Sequence, residues 1–267
     1  MFSLLTFALV PGIVRIGHLR FSVFGLIAAV GLIAAIAMSQ RTAKLSGIPA
    51  QHLWDAGIFT VVAALVISRL LLVAEDPQAF LRYPLIVLSL PSLTYAGIGL
   101  TLAATLIYLR LKHLPMLATL DAWTPCAALL AAALSLAHFI EGTDAGMPSS
   151  LPWGVLTPGD TILGRVHPVQ IYLLLAAIYL FFDTLRLLRR PHLAGVVAAH
   201  GLYLGGALFF LLDMLAQPAD VHSANILDPG QYIAIACVAV GLFLRSRWFI
   251  ADQSEPPLRP HPLQESF

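Results

Sequence analysis

The chain has 267 residues, of which 59% are hydrophobic and only 11% charged, and its formal net charge is +1. This composition excludes an ordinary soluble domain and indicates an integral membrane protein. The small net charge excludes a nucleic-acid surface that depends on bulk positive potential. The two cysteines, Cys126 and Cys237, lie in apolar runs, and nothing around them resembles a disulfide framework or a CxxC metal site.

The first part of the chain, MFSLLTFALVPGIVRIGHLR, precedes the long apolar runs. Its apolar stretch is too short to cross a bilayer, and it lacks the basic leader and small-residue cleavage site of a signal peptide. We expect an interfacial segment that leads into the first span.

Seven apolar windows follow, and each is long enough for a tilted transmembrane helix. The sequence therefore predicts an all-α integral membrane protein with seven transmembrane helices in one domain, residues 1–251. Between the second and third windows, residues 85–90 lie between Pro84 and Pro91 and predict a re-entrant or surface piece. Residues 252–267 are rich in proline and polar residues and predict a disordered cytoplasmic tail. The windows cover residues 21–38, 53–73, 93–109, 117–138, 168–185, 199–215 and 231–246.

Lysine and arginine accumulate in alternate connections between these windows, while the intervening connections are mainly acidic. By the positive-inside rule this pattern predicts that the N-terminus lies outside and the C-terminus in the cytoplasm. Arg15 and Arg20, before the first window, run against the pattern. The basic residues that agree with the alternating pattern are Arg41, Lys44, Arg110, Lys112, Arg186, Arg189, Arg190, Arg245 and Arg247.

Polar residues inside or at the ends of the apolar windows are informative, because an unpaired charge near the bilayer centre costs about 2.5–3.5 kcal/mol on insertion scales. On the predicted topology most of them lie toward the outer leaflet, where the long connection 142–166 joins the fourth and fifth windows. We therefore expect one polar cavity on that side. The residues are Arg69, Ser135, His138, Glu141, Arg165, His167, Gln170, Tyr172 and Asp213.

Spacing supports this grouping. Ser135, His138 and Glu141 recur every three residues and so lie near one helical face, which must point into protein and not into lipid. His167 precedes Pro168, which suits the first turn of a helix, and Gln170 lies on roughly the same side. Polar atoms are thus expected to converge at the rims of the fourth and fifth spans.

Each of these residues also has a purely structural interpretation. Arg69 can extend to the interface, and His138 with Glu141 can be an interhelical pair that only locks the bundle. His167 can be a capping or interfacial residue, and Asp213 a satisfied interhelical partner. The remaining histidines, including His200, are expected to be structural or solvent-facing.

The segment RVHPVQIYLLL, residues 165–175, resembles the Arg-His-Pro-(Ser/Thr/Val)-Gln-Leu-Tyr-Glu signature of the phosphatidylglycerol:prolipoprotein diacylglyceryl transferases. HFIEG, residues 138–142, is similar to the family's Asn-Phe-Ile-Asn-Gly element, and Ser68, Arg69 and Leu70 fall on its Gly-Arg-Ile element. FGLIAAVGLIAAI, GLYLGGALFFLLDMLAQPAD and PGQYIAI resemble parts of the first, sixth and seventh spans.

The resemblance implies a multi-pass protein of the bacterial inner membrane, with seven spans and the N-terminus outside. The activity it implies is transfer of a diacylglyceryl group from a phosphatidylglycerol-like phospholipid to the lipobox cysteine of a prolipoprotein signal peptide. It implies no metal and no other cofactor. Nucleic acid is not expected as a partner.

The sequence departs from the family pattern at several positions. Tyr95 stands where the family has a histidine, and Leu173 replaces the glutamate that closes the His-Pro signature. Ser135 and Phe209 stand in place of two arginines that are thought to hold the donor phosphate. Asp213 keeps the acidic character of the residue that follows the second arginine.

The resemblance also implies roles. His167 or His138 would be the base that takes the thiol proton, and Glu141 would orient His138. The lipid and its phosphate would be bound by Arg69, Arg165, Tyr95, Gln170, Tyr172, Gly142 and Asp213.

Two alternatives belong to other classes. The chain can be a degenerate, non-catalytic family member that binds lipid or a partner protein. It can also be a metal-dependent intramembrane lipid hydrolase, since histidine and carboxylate ligands suit zinc, although no HExxH spacing is present. The ligands in that case would be drawn from Ser135, His138, Glu141, His167 and Asp213.

Overall fold

The structure is a computed structural model that describes residues 8–10, 13–16, 19–82, 94–143, 146–156, 165–217 and 227–254. Within these ranges the chain forms a helical bundle preceded by a small antiparallel sheet. The elements are β1 (Ala8–Val10), β2 (Ile13–Ile16), β3 (Leu19–Ser22), α1 (Val23–Leu45), α2 (Ala50–Glu75), α3 (Pro77–Arg82), α4 (Tyr95–Leu111), α5 (Met116–Glu141), β4 (Val155–Leu156), β5 (Arg165–Val166), α6 (Val169–Leu188), α7 (Val196–Asp213) and α8 (Pro229–Ser254).

Each of the seven predicted windows coincides with one helix over most of its length, so the predicted helical architecture is confirmed. Six of these helices, α1, α2, α5, α6, α7 and α8, are long and apolar enough to cross a membrane. The seventh, α4, has only 17 described residues, or about 26 Å of helix against a hydrocarbon core of about 30 Å. Within the described residues, six helices therefore meet the requirements of a membrane span, and the seventh span stays a prediction.

The first part of the chain contains strands, which the sequence analysis did not anticipate. β1, β2 and β3 pair in order as an antiparallel sheet, with Val10 opposite Ile13 and Ile16 opposite Leu19. β-branched residues favour such pairing, and the apolar character of the segment concealed it. The sheet ends at Ser22, whose hydroxyl accepts the backbone N–H of Gly25 at 2.9 Å and so begins α1.

Two other predictions concern segments at the edge of what the structure describes. Residues 85–90, the predicted re-entrant or surface piece, lie outside the described residues. The predicted tail was placed at residues 252–267, but α8 continues to Ser254. Residues 252–254 are therefore helical, and the rest of the predicted tail lies outside the described residues.

The helix α5 is central to the bundle. α1 packs antiparallel to it: the Phe24 ring meets the His138 ring at 4.8 Å between centroids, and at the far end Thr42 Oγ1 lies 3.6 Å from Cys126 Sγ. α7 runs parallel to α5, because Asp121 near the start of α5 accepts backbone N–H groups at the start of α7. α6 and α8 both pack against α7.

α2 and α4 form an antiparallel pair beside α1. The rings of Phe59 and Tyr108 stack at 4.2 Å, and Thr105 Oγ1 donates to Thr60 Oγ1 at 3.1 Å. This pair is held by small and hydroxylated residues and by apolar contacts. It therefore places the end of α2 and the start of α4 at the same end of the bundle.

Together these contacts sort the helix ends into two groups. The starts of α1, α4, α6 and α8 lie with the ends of α2, α5 and α7; we call this the site end. The opposite end, which we call the basic end, has the short connections 46–49, 112–115 and 189–195. It carries the basic residues that predicted a cytoplasmic location, and which side of the membrane it faces stays a prediction.

Candidate functional site

Four segments meet at the site end: the last turn of α5 with residues 142–143, the segment 146–156, residues 165–172, and residues 213–217. Backbone hydrogen bonds hold them together. Met147 donates to the Leu215 carbonyl at 2.8 Å, and His167 donates to the Met147 carbonyl at 3.0 Å. Isolated bridges pair Gly146 with Ala216 and Pro148 with Val166. The segment that begins at residue 146 therefore lies between the start of α6 and the end of α7.

Gly146 allows this close approach. A Cβ atom at this position would collide with the His167 carbonyl and would lie 2.9 Å from the His167 Cβ. No side chain larger than hydrogen fits without moving the backbone on which His167 is carried. Gln217 adds a further tie, because its side-chain amide donates to the Gly146 carbonyl at 3.2 Å.

His167 lies half-buried between β5 and α6 and faces Tyr172. The Tyr172 hydroxyl oxygen is 3.5 Å from His167 Nδ1, and the two rings meet edge to face with centroids 6.2 Å apart. The indole N–H of Trp153 donates to the same hydroxyl oxygen at 2.8 Å. The structure thus brings two predicted residues together with one that the sequence analysis did not select.

Gln170 and His138 are joined through Thr143. The Gln170 side chain is buried, and its amide donates to the Thr143 carbonyl. The hydroxyl of Thr143 lies 2.9 Å from His138 Nδ1. The first turn of α6 and the last turn of α5 therefore converge, as the spacing of the polar residues predicted.

The predicted pairing of Glu141 with His138 stays a prediction. Glu141 is exposed at the last position of α5, and the partner at His138 Nδ1 is Thr143. The reason is the helix end: Gly142 adopts a left-handed conformation with φ 76°, and the chain turns back so that the Thr143 N–H reaches the His138 carbonyl. This turn is the structural role of Gly142.

Arg165 and Asp213 border the same region. Arg165 is exposed on β5, and its guanidinium donates to the Pro152 carbonyl at 3.2 Å. Asp213 is the last residue of α7 and is half-buried, and its carbonyl accepts the Ala216 N–H at 2.9 Å. Both residues lie where the converging segments meet.

Arg69 and Tyr95 lie elsewhere, on the pair formed by α2 and α4. Arg69 is half-buried in the last third of α2, and Tyr95 is 60% exposed at the start of α4. Among the described residues, no hydrogen bond, ion pair or ring contact joins either side chain to His138 or His167. The structure places both toward the site end but does not bring them into the group.

Ser135 and Phe209, which the resemblance places at two arginine positions of the family, supply no charge. The Ser135 hydroxyl donates to the Ala131 carbonyl of its own helix at 2.9 Å. Phe209 faces Gly230 at the start of α8. In the part of the chain that the structure describes, no three histidine, cysteine or carboxylate residues are placed to hold a metal ion.

A second chain of polar side chains lies at the basic end. His200 Nε2 is 2.6 Å from Asp183 Oδ2, and His200 Nδ1 is 3.0 Å from the Tyr203 hydroxyl. Arg245 donates to that hydroxyl at 3.1 Å. These hydrogen-bonded side chains join α6, α7 and α8, which fits the prediction that His200 is structural.

The site end therefore combines imidazole, phenol, indole, amide and guanidinium groups, with the carboxylates of Glu141 and Asp213 at its border. Such a set can donate hydrogen bonds to the oxygens of an anionic head group, and its imidazoles can move a proton. The fold and the site define a polytopic helical membrane protein with a polar site where several helix ends meet.

The sequence comparisons name the family. The model of the prolipoprotein diacylglyceryl transferase family matches residues 11–246. The chain is 27% identical over 248 residues to the phosphatidylglycerol–prolipoprotein diacylglyceryl transferase of Synechococcus elongatus, covering 87% of this chain and 85% of the relative. The enzyme of the same name in Geobacter sulfurreducens is 28% identical over 247 residues, which cover 87% of this chain and 92% of the relative. The enzyme of that name in Clostridium tetani is 22% identical over 240 residues, which cover 88% of this chain and 96% of the relative. The chain belongs to the prolipoprotein diacylglyceryl transferase family, which confirms the resemblance.

Proposed function

We propose that the protein transfers a diacylglyceryl group from phosphatidylglycerol to the lipobox cysteine thiol of a prolipoprotein. The observation that carries the proposal is the family match over nearly the whole chain. The relatives are named for phosphatidylglycerol and prolipoprotein. The convergence of His138, His167 and Gln170 at one end of the bundle supports it, because a lipid head group and a peptide can both arrive there.

The reaction has simple requirements. The thiol sulfur attacks the glyceryl carbon that bears the phosphate, the bond from that carbon to the phosphate oxygen breaks, and a thioether forms while glycerol phosphate leaves. The thiol proton must pass to a base, since the thiolate is the nucleophile. The leaving phosphate needs hydrogen-bond donors or cations that are already in place. Neither requirement calls for a metal.

The residues at the site end can meet both requirements. His138 or His167 takes the thiol proton, and Arg165 with Gln170 and Tyr172 faces the phosphate. Glu141, one turn further along α5, orients the His138 ring.

Four further residues complete the proposed site. Arg69 and Tyr95 contact the lipid from the pair formed by α2 and α4. Gly142 shapes the turn that carries Thr143, and Asp213 borders the site at the end of α7.

The proposed orientation places the site end outside and the basic end in the cytoplasm of a bacterial cell, in the inner membrane. Its support is the distribution of charge: most of the lysine and arginine residues lie at the basic end, in its short connections and in the helix ends beside them. With this orientation the site faces the side on which prolipoproteins emerge.

A non-catalytic family member is the second candidate, and a specific observation favours it. The Ser135 hydroxyl is bonded to its own helix and Phe209 packs at the start of α8, so neither replaces a phosphate-binding arginine. If the remaining groups do not suffice for phosphate departure, the protein binds lipid or a partner without chemistry. Absence of transfer with every lipid donor is the outcome that would establish this candidate.

The test is transfer by purified protein in phosphatidylglycerol vesicles, with a lipobox peptide whose gain of a diacylglyceryl group is read by mass spectrometry. We expect His167→Ala to lower the rate by about 10²-fold or more and Arg165→Ala by about tenfold or more. His52→Ala and Arg189→Ala, at exposed positions of the basic end, are the matched controls. Unchanged rates in both site variants would contradict these roles.

A further inference from the structure

The contact between Trp153, Tyr172 and His167 carries information about the His167 proton. Trp153 lies in the segment before β4, Tyr172 in the second turn of α6, and His167 just before α6. The indole N–H is 2.8 Å from the Tyr172 oxygen, and that oxygen is 3.5 Å from His167 Nδ1. Three side chains from three short segments are therefore joined in one series of hydrogen-bond contacts.

The donors in this series can be assigned from their chemistry. An indole nitrogen only donates, so the Tyr172 oxygen accepts at that contact. The phenol has one proton, and we assign it to the contact with His167 Nδ1, 3.5 Å away. A bond that the phenol already accepts also makes its own proton a stronger donor. Nδ1 of His167 is then an acceptor, and the neutral ring carries its proton on Nε2.

We propose that Trp153 is a positioning residue that, through Tyr172, holds His167 as the Nε2–H tautomer, so that His167 donates a hydrogen bond to the phosphate of the lipid and does not take the thiol proton. This inference rests on the proposed function and assigns roles within it. An imidazole whose Nδ1 lone pair is occupied and whose Nε2 bears hydrogen is a donor and a poor base.

If His167 is the hydrogen-bond donor to the phosphate, His138 is the base that takes the thiol proton. His138 contacts the Thr143 hydroxyl, which can donate or accept, so this ring is not held to one tautomer by that contact. In the proposed step the thiol proton passes to His138, the sulfur bonds to the glyceryl carbon, and the phosphate leaves with hydrogen bonds from His167 and Arg165.

The surroundings of His167 suit a fixed donor. Its backbone N–H is bonded to the Met147 carbonyl at 3.0 Å, and Gly146 packs against its carbonyl and Cβ. Trp153 is 58% exposed, so its ring contributes little buried packing and the bond to Tyr172 is its distinguishing contact. A residue that served only as an interfacial aromatic would not need to direct its N–H at the site.

Substitutions of His167 distinguish a role as hydrogen-bond donor from a role as general base. Glutamine offers an oxygen to accept from Tyr172 and an N–H to donate to phosphate, but it cannot take up a proton at neutral pH. In the vesicle assay we expect His167→Gln to retain activity within about tenfold of the parent, while His167→Ala loses about 10²- to 10³-fold, as for loss of one preorganised donor. If His167→Gln is as inactive as His167→Ala, His167 is the base and the inference is overturned.

The positioning role of Trp153 has its own readout. We expect Trp153→Phe to lower kcat by about three- to tenfold and to have no further effect when Tyr172 is already phenylalanine, because both changes break one series of hydrogen bonds. Trp54→Phe in α2 is the matched control. Additive losses from Trp153→Phe and Tyr172→Phe would overturn the coupling.

The tautomer can also be measured without turnover. The imidazole nitrogen resonances of 15N-histidine-labelled protein, assigned to His167 by their loss in His167→Gln, report which nitrogen bears the proton. Nε2–H in the parent and a changed pattern in Tyr172→Phe support the inference, and Nδ1–H in the parent overturns it. An active parent with an inactive His167→Gln contradicts only this inference, whereas a parent that transfers to no peptide contradicts the proposed function.

Discussion

The buried side-chain amide of Gln170 donates a hydrogen bond to the backbone carbonyl of Thr143. This one contact joins the first turn of α6 to the residue that follows the left-handed end of α5. Because the hydroxyl of Thr143 also meets His138, the amide helps to fix the position of a proposed catalytic ring. The geometry of the site therefore depends on the junction of α5 and α6.

Replacing Gln170 by leucine should loosen this junction. The substitution leaves the Thr143 carbonyl without its donor, which costs about 1–3 kcal/mol of unfolding free energy when the group stays buried. We expect a lower temperature of thermal unfolding in detergent and a rate of transfer at least tenfold lower. Gln51→Leu, at an exposed position of α2, is the control. Parent-like stability and rate in Gln170→Leu would show that the contact is dispensable.

Asp121 should be important for stability and not for chemistry. Its buried carboxylate accepts the backbone N–H groups of Gly195 and Ala198, at the positive end of the α7 dipole. We expect Asp121→Ala to lower the unfolding free energy by about 1–3 kcal/mol, because these donors lose their partner. Asp55→Ala, which removes an exposed carboxylate, should change the unfolding free energy by about 0.5 kcal/mol or less. Equal melting curves for the two variants would contradict this account.

Two glycines should respond oppositely to the same change. A Cβ at Gly241 in α8 would lie 2.6 Å from the Tyr203 nitrogen and 2.7 Å from the Ala199 carbonyl oxygen, both backbone atoms of α7. Gly57 in α2 has open space around the corresponding position. Gly241→Ala should therefore destabilise by about 1–3 kcal/mol, whereas Gly57→Ala should be neutral or stabilise by up to about 1 kcal/mol. Thermal unfolding of both variants measures the difference, and destabilisation by Gly57→Ala alone would refute it.

The orientation can be tested with single cysteines. In a background in which Cys126 and Cys237 are alanine, Ser150→Cys at the site end and Lys112→Cys at the basic end give two exposed probes. We expect an impermeant maleimide added to spheroplasts to label only the cysteine at position 150, because the basic connections face the cytoplasm. Labelling at position 112 in intact spheroplasts would reverse the topology.

The helices were predictable because the bilayer requires long apolar runs, and most of every window lies on a helix. α4 is the exception in length, since apolarity alone does not fix where a helix begins. The strands β1–β3 were not predicted, because an apolar segment too short to span is equally consistent with an interfacial segment. Short apolar runs remain ambiguous until their hydrogen-bonding partners are known.

The site was predictable only in part, for a related reason. His138, His167 and Gln170 stood out because polar side chains are costly at the ends of apolar helices. Thr143 and Trp153 lie in connections, where their position depends on backbone hydrogen bonds from the segment 146–149 to residues 165–167 and 215–216. No local pattern in the sequence encodes that path, so their contacts with His138 and Tyr172 emerged only from the structure.

We propose that this chain carries out diacylglyceryl transfer although the family resemblance places Ser135 and Phe209 at two arginine positions. The most direct measurement is complementation of a bacterial strain depleted of its own diacylglyceryl transferase, with lipoprotein modification read by mass spectrometry. We expect growth and diacylglyceryl-modified lipoproteins with the parent chain, and loss of both with His138→Ala at equal protein level. Unmodified prolipoproteins in cells that contain the parent chain in the membrane would contradict it.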